Sequence, residues 1–167
     1  ASESASATVN NSVVTINGGT SIAGVVGGGL AEHLSGNGSA SSTVTKTSAV
    51  YVKGGNLTNI VYTKNDGGNN KKASSYAAVV GAGFATGDNA SASVDNSVVV
   101  IDGADTVIKG NVPDTGVKTD YLDKDNAKVV AGGVATNGGT VNVTNTALTM
   151  NNGSVTGDLI GGNLIEG

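Results

Sequence analysis

Three elements recur in fixed order four times along this chain, and that repeat constrains the fold more than any single motif. Each unit opens on small residues in alternation. These are Ala5-Ser6-Ala7-Thr8-Val9, Ala40-Ser41-Ser42-Thr43-Val44, Ala90-Ser91-Ala92-Ser93-Val94 and, more loosely, Gly139-Thr140-Val141-Asn142-Val143. A polar corner follows, then a stronger strand. Its four versions start at Ser12, Ser48, Ser97 and Thr146 and run through Val14-Thr15-Ile16, Val50-Tyr51-Val52, Val99-Val100-Ile101 and Leu148-Thr149-Met150. A third element closes each unit: Val25-Val26-Gly27-Gly28-Gly29-Leu30-Ala31, Val79-Val80-Gly81-Ala82-Gly83-Phe84-Ala85, Val129-Val130-Ala131-Gly132-Gly133-Val134-Ala135 and Leu159-Ile160-Gly161-Gly162-Asn163-Leu164-Ile165.

The strand starts are separated by 36, 49 and 49 residues. The shortest interval is the bare unit, and the longer ones carry insertions at one equivalent corner. The first insertion spans about 63–75 and the second about 113–127, the latter opening on the only proline, Pro113. Alternation of apolar and polar residues over short runs bounded by Gly and Asn signals strands and tight turns. Repeated units that cannot each bury a face must stack. The expected fold is therefore all-β: a single-stranded parallel β-solenoid (β-helix) of about four coils with two corner insertions. The whole of 1–167 forms one domain. Val14 and Ile16, Val50 and Val52, Val99 and Ile101, and Leu148 and Met150 should face inward as columns. Asn-Gly pairs at 17–18, 37–38, 137–138 and 152–153 should make turns with positive φ.

Composition agrees with a narrow interior. The chain holds 27 Gly, 1 Phe and no Trp, and charged residues make up 13% where globular domains carry roughly 25%. Helices are disfavoured by Gly, Asn, Thr and Val. Disulfides, zinc-thiolate centres and cysteine nucleophiles need Cys, which is absent. Nucleic-acid binding wants Arg and a basic face, but every basic residue is Lys and the net charge is -4. No apolar run approaches the ~20 residues of a membrane span.

The two ends of the sequence read as halves of one unit. Joining them places Ile160 and Val9 16 residues apart, within the internal spacings of 18, 14 and 13 between the matching residues. The expectation is end-to-end stacking, either inside a longer repetitive chain or between head-to-tail subunits. The latter contact is heterologous and does not close. Ala5, Ala7, Val9, Ile160, Leu164 and Ile165 are the expected assembly residues, with a second copy of the chain as partner.

The Ser-x-Val-x-Ile-x-Gly-Gly and Val-Val-Gly-Gly-Gly-x-Ala elements resemble bacterial surface β-solenoids, namely the passenger regions of autotransporters and filamentous haemagglutinin-like adhesins. The resemblance covers most of the chain outside the insertions. It implies an extracellular or cell-surface location and a role in adhesion or structural extension.

Catalysis is not expected. Solenoid polysaccharide lyases resemble one another in pairing a basic residue, often Arg, with a calcium-binding acid cluster, and Arg is absent here. Asp95 and Asp102 match Asn10 and Asn17 in the first unit, which marks them as surface corners. The lone His33 sits in a polar turn, and no Gly-x-Ser-x-Gly elbow accompanies it. Asp120, Asp123 and Asp125 gather oxygen ligands in the second insertion and are the candidate calcium site; no other cofactor is expected. The expected function is an extracellular structural solenoid that stacks into a fibre or extended rod. The alternative is an adhesin module presenting its insertions, with Tyr51, Tyr62, Tyr76 and Tyr121, to a glycan or protein receptor.

Overall fold

The computed structural model describes residues 4–110 and 126–166. The first unit supplies β1 (Ala5–Ile16), β2 (Ile22–Ala23), β3 (Val25–Val26) and β4 (Gly29–Glu32). The second supplies β5 (Ala40–Val52), β6 (Gly55–Thr58), β7 (Val61–Asp66), β8 (Asn69–Ser74), β9 (Ala77–Val80) and β10 (Gly83–Thr86). The third supplies β11 (Ala90–Ile108), β12 (Lys128–Val130) and β13 (Val134–Thr136), and the fourth β14 (Thr140–Val155), β15 (Leu159–Ile160) and β16 (Leu164–Glu166). Among the described residues there is no helix.

Three parallel sheets take one strand from each unit, in chain order. They run β1-β5-β11-β14, β3-β9-β12-β15 and β4-β10-β13-β16. Short β2 and β6 extend the first sheet beside the end of β11. The repeat sets the register: Ser12, Ser48, Ser97 and Thr146 lie side by side. The two short strands expected at the start of each unit are one continuous strand. The polar corner between them is absorbed by an irregularity in β5, which spends one extra residue between Val44 and Thr47. A bulge of this kind bends a strand without ending its ladder.

The inward columns form the main core. Val50, Val52, Val99 and Ile101 are fully buried, with Val14, Ile16, Leu148 and Met150 packed against them at the two ends. A second cluster lies on the opposite face of the closing strands: Ile60, Ala77, Val80, Phe84, Val130 and Val134. Neighbouring strand residues point to opposite faces, so Val79 and Val80 can both be buried only if both faces are covered. The first insertion covers the second face. It is an antiparallel hairpin, β7 paired with β8, running 61–74 rather than 63–75. The Tyr62 and Phe84 rings pack with centroids 5.4 Å apart. The single Phe is thus accommodated outside the narrow interior, beneath the hairpin.

The turn expectation holds at Asn137-Gly138 and at Gly153. At the other two pairs the positive φ falls one residue away, on Gly19 and Gly36. The second insertion, apart from its last two residues, lies outside the described residues.

Candidate functional site

The stack has two end faces, built from equivalent strands. On one face β1 pairs only with β5, and on the other β14 pairs only with β11, among the described residues. Each outer strand therefore keeps one row of backbone donors and acceptors open to further pairing. The expected assembly residues divide between these faces. Ala5, Ala7 and Val9 are exposed along β1, with Val9 at 48%. Ile165 is 69% exposed at the opposite end, while Ile160 and Leu164 are half-buried against the outer cluster. Leu159 continues the inward column of Val25, Val79 and Val129, yet is 47% exposed, with no strand paired beyond β15 among the described residues. The open first face holds two shallow grooves of about 290 and 330 Å³ between β1 and the closing strands, one beside Ala7 and Val9 and one beside Ala5 and Ala31.

A ladder of hydroxyls braces each unit across its interior. The Ser12 hydroxyl donates to the Gly27 carbonyl at 2.5 Å, Ser48 to Gly81 at 2.6 Å, and Ser97 to Ala131 at 2.5 Å. Thr146 donates to Gly161 in the fourth unit. Sequence reading aligned these four residues only as strand starts; the signal available was their invariance as hydroxyl residues through four copies.

The hairpin is tied to units one, three and four. The Thr63 N–H donates to Glu32 Oε1 at 3.0 Å. Burial raises the Tyr62 phenol above its ordinary value, against the lowering effects of the neighbouring Thr136 and Asn137 side chains. Glu166 Oε1 accepts from the Ser75 hydroxyl at 3.0 Å and the Tyr76 N–H at 2.8 Å. Burial pushes the Glu166 carboxyl up, against the lowering effects of Tyr76, Ser75 and Lys128. Glu32, Thr86, Thr136 and Glu166 occupy one column across the four units. Buried Asn59 closes the insertions at their base: its amide donates to the carbonyls of Ser75, Tyr76 and Asn126 at 3.0–3.1 Å. Neither Asn59 nor the glutamates stood out in the sequence, because their roles depend on which units the hairpin crosses.

At the hairpin tip Asp66 pairs with Lys71 at 2.7 Å, and that ammonium lowers the carboxyl. Lys128 pairs with Asp158 and stands 5.8 Å over the Tyr76 ring. Tyr62 and Tyr76 are thus engaged in holding the hairpin and its base, while Tyr51 is half-exposed on β5 and Tyr121 lies outside the described residues. A polar cleft of about 350 Å³ opens between the hairpin and the unit-to-unit turns. His33, Lys64, Asp88 and Asn137 are among its walls. His33 is half-buried there rather than free in solvent. Asp95 and Asp102 are exposed, as surface corners should be.

Asp120, Asp123 and Asp125 lie outside the described residues. Among the described residues no three His, Asp or Glu side chains gather in a way that could hold a metal ion. No protein-family model, curated protein or solved structure matches this chain.

Proposed function

We propose that this chain is an extracellular structural β-solenoid of four coils that stacks head-to-tail with further copies into a fibre or extended surface rod. One observation carries the reading: the two end faces are the same set of strand edges in the same register. Extending the internal pairing sets Leu148 beside Val14, Met150 beside Ile16 and Ile160 beside Val26 of a second copy. Main-chain pairing would supply affinity, and the apolar columns would continue through the junction. Gly161 and Gly162 leave this end face unobstructed, with open space around both. The extracellular location rests on the resemblance to bacterial surface solenoids.

The test is truncation. Removing residues 1–9 should abolish filaments seen by electron microscopy while the middle coils keep their circular-dichroism signal. Long filaments after that truncation would sink the reading.

A second reading, a module that binds a glycan, is favoured by the polar cleft beside the hairpin. Under it, Lys64→Ala with Asp88→Ala should remove binding on a glycan array and leave assembly unchanged.

A further inference from the structure

We infer that Asn163 sets the strength of the junction between copies, acting as a partial stop on one end face. The inference rests on the stacking reading and concerns its regulation. The third element of each unit carries a residue in one column: Gly29, Gly83, Gly133 and Asn163. In the first three units a Cβ at this place would run into the opening strand of the next unit. It would strike Ser42 from Gly29 and Ala92 from Gly83, and from Gly133 it would stand 2.9 Å from the Val141 Cβ. Cβ atoms essentially never approach that closely. Ser42, Ala92 and Val141 are themselves one column, and its first member is Ala7. A second copy stacked in the internal register therefore sets its Ala7 against Asn163.

Asn163 is the only member of the column with a side chain. Its Oδ1 accepts the Gly133 N–H at 2.9 Å, which folds the amide back onto the third unit. The Cβ remains in the slot that the inner units keep empty. Elsewhere the face is open to a further unit: Gly161 and Gly162 have clear space, and Leu159 and Ile165 are exposed. Neither end glutamate obstructs it. Glu32 and Glu166 are both drawn inward, to Thr63 and to Ser75 and Tyr76, which flank the hairpin of the second unit. A second copy thus meets a matching edge with one steric mismatch and must open the rung beside Asn163 to seat. Natural sheet edges use such devices to restrain open-ended pairing.

Three forms of the chain test this by sedimentation and electron microscopy across a concentration series. Asn163→Gly should lower the concentration at which stacks appear by about tenfold or more, a factor that corresponds to 1.4 kcal/mol. Ala7→Gly, with Asn163 kept, removes the opposing Cβ and should shift assembly in the same direction. A folding defect at position 163 cannot produce that second effect. If the wild type stacks and both variants stack at the same concentration as it does, Asn163 is no stop, while the stacking reading survives. If none of the three assembles at any concentration, both ideas fall.

Discussion

The Ser48 hydroxyl reaches across the interior of its own unit to the Gly81 carbonyl, 2.6 Å away, and both residues are buried. The same brace joins Ser97 to Ala131 at 2.5 Å. A buried carbonyl that loses its donor costs about 1–3 kcal/mol. Ser48→Ala and Ser97→Ala should each destabilise by that amount in urea denaturation. Thr146→Ala, at the exposed fourth unit, should cost less than about 1 kcal/mol because water replaces the lost partner. Equal effects at all three sites would show that the brace is incidental.

Asn59 concentrates three donor–acceptor contacts on one buried amide. Asn59→Leu keeps the branching at Cγ and strands the carbonyls of Ser75 and Asn126, while the Tyr76 carbonyl keeps the Lys128 N–H. The expected loss is about 2–4 kcal/mol, more than one ordinary hydrogen bond, because two acceptors go unpaired together. Hydrogen exchange should locate the damage at the base of the hairpin, around Ala77. A loss confined to the hairpin tip at Gly67 would contradict the role given to this residue.

The hairpin and the outer cluster depend on one ring pair. Phe84→Ala should cost about 3–5 kcal/mol, since the ring is fully buried and its site is walled by Val80, Val130 and Val134. Tyr62→Ala should act locally. It removes the contact with Phe84 beneath the hairpin. Amides of β7 and β8 should then exchange freely while those of Val50 and Val99 stay protected. Full protection of the hairpin in that variant would mean that Glu32 and Glu166 hold it unaided.

These contrasts explain what the sequence could and could not reveal. The parallel sheets, their register and the inward columns follow from repetition alone. Ser12, Ser48, Ser97 and Thr146 occur at matching points of the repeat, and stacking places like beside like. The outer cluster was hidden because Val79-Val80 and Val129-Val130 break the alternation that marks a one-sided strand. Only the hairpin makes the second face a buried one; Asp66-Gly67-Gly68 marks where residues 61–74 reverse, but nothing in them announces which face they cover. The same limit applies to the end faces. Ile165 and Val9 were readable as edge residues, whereas Asn163 acquires meaning only from the Cβ contacts of Gly29, Gly83 and Gly133.

Glu166 gives stability a pH dependence whose sign is fixed by the direction of its shift. Burial raises this carboxyl above its ordinary 4.5. An acid with a higher pKa in the folded than in the unfolded state favours folding in its protonated form. That contribution is complete below about pH 4.5 and is lost as pH rises through the raised native value. Glu166→Gln cannot ionise, yet its Oε1 still accepts from the Ser75 hydroxyl and the Tyr76 N–H. The variant should therefore match the wild type below pH 4.5 and melt at a higher temperature at pH 7. Thermal melts of the dilute, unassembled chain between pH 4 and 7.5 should show the gap opening with rising pH. A gap constant across that range, or a variant that melts lower at pH 7, would mean that the Lys128 charge and the two hydrogen bonds outweigh burial.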